Sequence, residues 1–404
     1  MTSVLSTVFV SCLAVSAAPS KTKVDEKAQH RKDALEFLAK GQNVEAVKEF
    51  EKAWKLDPKD TAILALLAEA RREAGQLQLA LKDVDHALKL EPDSTTYKIL
   101  RITILHRQNR FLEARDEATK VLDKEKGNAQ AYLLRGSANA ELGDRKKALS
   151  DYTKAILLNP KNGFYYYVRA QYFKNEGMPE NAIKDLDQAI RLSELKYQSF
   201  YYKARAEVYS KSMMDAKSAT SNLNQAISLS PHDPKLRFAR GKLYNNQRKF
   251  SLAAADLEEA AAKDDTDWKI RSAQGEAYMG MKQYQKAASA FSEAIKLNPT
   301  AFLFGHRAAA RQRLGNVKEA ISDYKKALAL EPDTDHFYEG RARCYLANHQ
   351  AKDALEDLTH LVDSNKKNPR YYQLRAKAFE ALNQTSAAAK DRERAHALEA
   401  LMSK

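Results

Sequence analysis

Residues 129–162 read AQAYLLRGSANAELGDRKKALSDYTKAILLNPKN. Tyr132, Gly136 and Asn139 recur at spacings of four and three, which puts them on one face of a predicted helix. Gly143-Asp144 interrupts the pattern as a tight turn. Ala148, Tyr152 and Ala155 then share one face of a second helix, and Pro160 closes the unit. Two short helices and a turn in this stretch make a self-contained helical hairpin.

The same pattern returns at a period of 34 residues, with small slips, over the rest of the chain. With each closing proline set as position 32, position 20 is alanine in every unit: Ala46, Ala80, Ala114, Ala148, Ala182, Ala219, Ala253, Ala287, Ala320, Ala354 and Ala388. Position 8 is Gly or Ala in all units but one, and positions 11 and 24 favour aromatics. Small residues at 8, 20 and 27 let helix backbones approach closely, and a larger side chain there would overpack the contact. Proline at position 32 is expected at the start of the next helix, where its missing N–H costs nothing. The fifth unit lacks that proline and carries extra residues near Ser193–Gln198, and the sixth has a longer turn, Ser210–Asp215.

This pattern resembles the tetratricopeptide repeat. The resemblance implies an all-α, right-handed superhelical solenoid of about eleven helix-turn-helix units over residues 27–402, closed by a polar capping helix with Arg392 at the usually aromatic position 24. A single unit cannot bury its apolar face, so stacking supplies the core.

Composition agrees with a folded helical chain. The charged fraction is 30% and the hydrophobic fraction 44%, which excludes a disordered tail-like chain. The net charge of +14 is spread through every unit beside Asp and Glu, so it reads first as a solvated surface and second as a preference for anionic partners. Residues 1–18 form a short apolar run ending in small residues, Val15-Ser16-Ala17-Ala18, and read as a secretory signal peptide. Residues 19–26 read as a polar spacer. Cys12 falls in the signal, which leaves Cys344 as a single core thiol with no disulfide and no cysteine zinc site. The expected location is the secretory pathway: endoplasmic-reticulum lumen, periplasm or extracellular space.

A second periodicity concerns charge. Position 7 is Arg in most units and position 23 is often Asp, giving Arg135 with Asp151, Arg169 with Asp185, Arg240 with Asp256, Arg307 with Asp323 and Arg341 with Asp357. Arg101, Arg205 and Arg375 and the carboxylates Asp83 and Asp391 extend the series. This reads as a structural Arg–Asp ladder between helices, of the kind that fixes register.

The chain carries no G-x-G-x-x-G, no phosphate-binding P-loop, no H-E-x-x-H and no C-x-x-C, and its nine histidines are scattered. No catalytic residues, cofactor or metal are therefore expected, and the chain is not read as an enzyme.

In the family that the pattern resembles, positions 2, 5, 9, 12 and 13 of the first helices face a groove that takes peptides. Here those positions single out units five to seven. They supply Phe164, Tyr167, Gln171, Lys174 and Asn175, then Phe200, Lys203 and Lys211, then Lys235, Phe238, Lys242, Asn245 and Asn246. Aromatics beside Lys and Asn suit an extended protein or peptide partner of acidic character. The five-residue carboxylate clamp of chaperone-binding members is not met by any three consecutive units; the sixth unit has Lys203 but Glu207 where Asn is needed. The array also resembles the repeat part of endoplasmic-reticulum J-domain co-chaperones, without their J domain: His-Pro-Asp does not occur, and His232-Asp233-Pro234 has the wrong order. The expectation is a scaffold that holds a client segment in its groove, with no nucleic acid and no membrane span in the mature chain. The alternative is a nucleic-acid-binding helical repeat. Oligomeric state is not readable from the sequence.

Overall fold

The computed structural model describes residues 21–402. Cys12 and the segment read as a signal peptide lie outside these residues. Among the described residues the regular elements are twenty-two α-helices in eleven consecutive pairs, without a strand. The chain divides after Glu194 into two compact units. The first holds α1 (Lys21–Ala39) and α2 (Asn43–Leu56), α3 (Thr61–Glu73) and α4 (Leu77–Leu90), α5 (Thr95–Arg107) and α6 (Phe111–Lys124), α7 (Ala129–Glu141) and α8 (Arg145–Leu158), and α9 (Gly163–Asn175) and α10 (Pro179–Leu192). The second holds α11 (Leu195–Lys211) and α12 (Ala216–Leu229), α13 (Pro234–Asn246) and α14 (Phe250–Lys263), α15 (Trp268–Gly280) and α16 (Tyr284–Leu297), α17 (Ala301–Arg313) and α18 (Val317–Leu330), α19 (Asp335–Ala347) and α20 (Ala351–Ser364), and α21 (Pro369–Ala381) and α22 (Thr385–Met402). This is the all-α repeat fold expected from the period.

The spacer reading needs correction. α1 begins at Lys21, so most of the stretch taken as a spacer is helical. From Lys21 onward it holds no proline or glycine to stop a helix. Lys27 Nζ also bridges Asp57 and Asp60, at 2.9 Å each, and ties this part of α1 to the turn after α2.

Each pair turns through one left-handed residue. It is glycine at Gly41, Gly75, Gly143, Gly177 and Gly315, but Asn109, Met214, Arg248, Lys282, His349 and Asn383 adopt the same positive φ. The next residue or two then starts the second helix, as where Asp144 accepts from the backbone N–H of Lys147 at 3.2 Å. The closing prolines are also placed differently from expectation. Pro58, Pro92, Pro160, Pro231 and Pro332 lie in the turn that joins one pair to the next, three or more residues before the helix. At Pro58, Pro92, Pro160 and Pro231 that turn is closed by a hydrogen bond from the residue two after the proline to the residue before it, as from Asn162 N to Asn159 O at 3.2 Å. Proline suits the second position of such a turn because its φ is preset. The prolines that do open helices are Pro179, Pro234 and Pro369.

The small residues sit where the helices touch. All eleven alanines of position 20 are at most 2% exposed. In both units position 8 packs on position 24 of the same pair: Gly136 on Tyr152, Gly241 on Leu257, Gly275 on Phe291. Cys344 is fully buried in the second unit, where burial pushes its thiol up to about 12. The extra residues near Ser193–Gln198 lengthen α11 to seventeen residues, against thirteen for the first helices α13 and α15. They coincide with the division between the units.

Candidate peptide-binding groove

Position 7 lies one residue before the helix contact at position 8, and position 23 one before its partner at 24. That geometry brings the two charges together across each pair. Arg135 donates from Nε to Asp151 Oδ2 at 2.9 Å and from Nη2 to Oδ1 at 2.8 Å. The same two-bond fork joins Arg169 to Asp185, Arg240 to Asp256, Arg307 to Asp323, Arg341 to Asp357 and Arg375 to Asp391, at 2.6 to 2.9 Å. Each of these aspartates is buried. Such forks are strong and directional.

The guanidinium also reaches back, to an acceptor that the sequence reading did not pick out. Arg169 Nη1 donates to Thr153 Oγ1 at 3.2 Å, Arg240 Nη1 to Asn224 Oδ1 at 2.7 Å and Arg307 Nη1 to Ser292 Oγ at 3.0 Å. One arginine thus links its own pair to the second helix of the preceding pair. The signal available in the sequence was a short polar residue near position 25. The series is also interrupted. Arg101 turns to Asp85 at 2.7 Å, Arg205 donates to Asn222 at 2.7 Å, and Asp83 is held by Arg71. In the α15–α16 pair Gln274 and Ala290 take the two places.

The thirteen groove residues divide between the two units. In the first, Phe164 is half-buried, with its ring centroid 6.0 Å from that of Tyr167. Tyr167 is 7% exposed, which corrects its reading as groove surface: its ring is taken up in packing. Lys174 Nζ donates to Gln171 Oε1 at 2.7 Å, and Asn175 is exposed at the end of α9. In the second unit, Phe200 packs edge-on to Tyr201, Lys203 is half-buried and Lys211 is exposed. Lys235, Lys242 and Asn246 are exposed on α13, and the Lys242 ammonium stands 5.6 Å from the Phe238 ring. Asn245 is a second correction. Its side chain donates to the Ala273 carbonyl at 2.9 Å, joining α13 to α15 instead of facing a ligand.

The first unit contains a cavity that the sequence did not reveal. It measures about 90 Å³ and is lined only by first helices, α3, α5, α7 and α9. Leu133, Leu134, Phe164 and Val168 form its apolar wall. Arg72, Glu73, His106, Arg107, Thr103, Gln130 and Ser137 form the polar remainder. Arg72 is 4% exposed, and its Nη2 donates to Glu69 at 2.5 Å and to Glu73 at 2.7 Å. Its Nε has no partner among the described residues, and neither has His106 Nε2. Burial holds the His106 imidazole below its usual pKa, opposed by the nearby Glu141 and by a hydrogen bond from the ring to the Ser137 backbone, and it raises that of the Glu69 carboxyl. Glu69 and Arg72 carry no signal in the sequence that separates them from the charge read there as a solvated surface.

A second, polar cleft of about 440 Å³ lies against Arg115, Arg135 and Lys147. Each of these cations already holds a carboxylate, Asp116, Asp151 and Asp144 respectively. The cleft is thus electrically balanced. Among the described residues no cluster of His, Cys, Asp or Glu has metal-binding geometry, and no helix is long and apolar enough to cross a membrane.

Family models described as tetratricopeptide repeat match residues 37–101 and 312–378, 129–162 and 268–301, and 165–194. DnaJ homolog subfamily C member 3 of Rattus norvegicus is 25% identical over 379 residues, which is 88% of this chain and 70% of that protein. The Homo sapiens protein of the same name is 29% identical over 190 residues, 43% of this chain and 37% of its own length. Among solved structures, MamA from Desulfovibrio magneticus RS-1 aligns with a TM-score of 0.40 and 21% identity, over 43% of this chain and 97% of that one. The human IFIT1 dimer with PPP-AAAA aligns with a TM-score of 0.47 and 16% identity, over 95% and 96%.

Proposed function

This chain belongs to the tetratricopeptide-repeat family, and from that premise we propose that it is a non-catalytic scaffold that holds an extended peptide or client segment along its first helices, in the manner of a co-chaperone. The observation that carries this reading is the first-unit cavity, apolar on one side and polar on the other, built wholly from first-helix side chains. Grooves of this composition take side chains on the apolar wall and satisfy ligand backbone at the polar rim. The exposed Lys235, Lys242 and Asn246 of α13 are a further contact surface on the second unit. Similarity to DnaJ homologs supports the co-chaperone-like form of the reading. The apolar segment at residues 1–18 supports a secretory compartment as its place of action.

The test is capture. Immobilised full chain should retain extended peptides from a random-sequence library, and Phe164→Ser should release them while the helical circular-dichroism signal persists. The net charge of +14 supports the nucleic-acid alternative. Retention of RNA in place of peptide, weakening steeply with salt, would overturn the peptide reading in its favour.

A further inference from the structure

Asparagine followed two residues later by serine or threonine occurs twice in the chain, at Asn298-Pro299-Thr300 and at Asn383-Gln384-Thr385. With any residue but proline in the middle, this is the acceptor pattern for an N-linked oligosaccharide in a secretory lumen. Pro299 therefore rules out the first copy. The fold also engages its hydroxyl: Thr300 Oγ1 caps α17, accepting from the backbone N–H of Leu303 at 3.4 Å.

The second copy is placed differently. Asn383 lies in the turn between α21 and α22, at φ 58°, a left-handed backbone that asparagine enters more readily than most residues. The turn is pinned through its main chain. Asn383 N–H donates to Glu380 O at 2.9 Å, and Gln384 N–H to Phe379 O at 2.8 Å. The side chains are left over. Asn383, Gln384 and Thr385 are all exposed, and among the described residues neither the Asn383 amide nor the Thr385 hydroxyl has a hydrogen-bonding partner. Elsewhere the fold uses its asparagine amides: Asn128 donates to Glu125, Asn139 to Asp151 and Asn245 to the Ala273 carbonyl. A bulky group on one of those nitrogens would break a contact, whereas on Asn383 it displaces only water.

We propose that Asn383 is an acceptor site for an N-linked oligosaccharide. The proposal rests on the secretory compartment argued above and adds a modification to it. The donor is an oligosaccharide carried on a lipid pyrophosphate. The Asn383 Nδ2 forms a bond to the anomeric carbon, and the bond from that carbon to the pyrophosphate oxygen breaks. The lipid pyrophosphate leaves with the electron pair, and the amide proton passes to a base of the transferase. No oxidant or reductant takes part.

The experiment expresses the full chain, residues 1–18 included, in cultured animal cells. Its gel mobility is compared before and after treatment with an amidase that cleaves N-linked glycans. The native chain should run as a slower species that collapses in one step, and the released peptide should carry aspartate at position 383. Thr385→Ala should run at the collapsed position from the start. It leaves the left-handed residue untouched, so loss of the glycan cannot be charged to a disturbed turn. Thr385→Ser keeps the pattern and should keep the shift. Lys367→Thr is the control: it completes a second acceptor pattern at the exposed Asn365 and should add a second step. Digestion of intact microsomes by added protease reports whether the chain is inside. A protected chain that gains a glycan only in Lys367→Thr overturns this proposal and leaves the secretory reading standing. A shift that survives Thr385→Ala overturns it too, because the sugar is then elsewhere. A chain degraded outside the microsomes, with no glycan in any variant, overturns both.

Discussion

Gly275 on α15 packs directly beneath the ring of Phe291 on α16, sixteen residues later: a Cβ at Gly275 would stand 2.6 Å from Phe291 Cε1. Phe291 is fully buried and cannot swing aside into solvent. Gly275→Ala should therefore destabilise the second unit by about 1–3 kcal/mol, the usual cost of overpacking a well-filled core. Urea unfolding followed by circular dichroism reads it. At position 8 of the α3–α4 pair alanine is native, as Ala68, and a glycine there should cost less than the alanine at Gly275. If Gly275→Ala proves neutral, the close approach of the two helices is not what selects glycine.

The Arg240–Asp256 fork permits a cleaner test of what the ladder contributes. Asp256 is 5% exposed, and Arg240 is its donor at 2.6 and 2.7 Å. Arg240→Met leaves a carboxylate buried without its partner, which costs about 3–5 kcal/mol. Replacing both, as Arg240→Met with Asp256→Leu, should recover most of that loss, because the buried charge goes with its partner. A double variant as unstable as the single one would show that the guanidinium stabilises through its bridge to Asn224 on α12. Because repeats unfold in nearest-neighbour blocks, amide hydrogen exchange on α13 and α14 should register the change more sharply than global melting.

The turn residues give a prediction of opposite sign. Arg248 adopts φ 58° and Lys282 φ 59°, a left-handed backbone that glycine enters without steric cost. Arg248→Gly should be neutral or stabilising by up to about 1 kcal/mol, since relief of the steric cost is partly offset by the greater freedom of glycine in the unfolded chain. Gly143→Ala, at φ 80°, should destabilise by about 1 kcal/mol. Thermal melting of both variants checks the pair. The idea fails if the arginine and glycine substitutions shift the midpoint in the same direction.

The fold was legible because one constraint repeats. A residue at position 8 meets position 24 wherever the pair occurs, so Gly136, Gly241 and Gly275 and their partners leave a periodic trace. The charges beside them share that register, as Arg135 and Asp151 do. The site was less legible, because it depends on what each pair does with its neighbour. Tyr167 and Asn245 occupy groove positions by count, yet one is drawn into packing and the other bonds the Ala273 carbonyl of the next first helix. Glu69 and Arg72 look like two more surface charges in a chain that is 30% charged. Their burial follows from α5 stacking on α3, which leaves no trace at a fixed spacing. The missing proline after α10 and the added residues near Ser193–Gln198 were visible, but they marked a slip of register before Glu194 was seen to end a compact unit.

Stability in the second unit should fall below neutral pH, and His306 is the group that reports it. Its ring lies 4.1 Å from Phe302 and 5.5 Å from Phe291 by centroid. Burial among these rings lowers its pKa from the ordinary value of 6.5, and the neighbouring His336 lowers it further. With the folded pKa below the unfolded one, the unfolded chain binds the proton more tightly. The stabilisation is fully present above pH 6.5 and is lost as the pH falls through the window down to the folded value. Glu276 works in the other direction. Burial raises its pKa, so its contribution is present below the unfolded value of 4.5 and is lost as the pH rises through the folded one. The raw pH profile therefore mixes the two. The difference between the native chain and His306→Gln removes the Glu276 contribution, which is common to both. That difference should shrink steadily from pH 7.5 to pH 5, with the native chain losing its advantage as His306 takes up a proton. A difference that stays flat across this range would mean that the His306 ring is as readily protonated in the fold as in the unfolded chain.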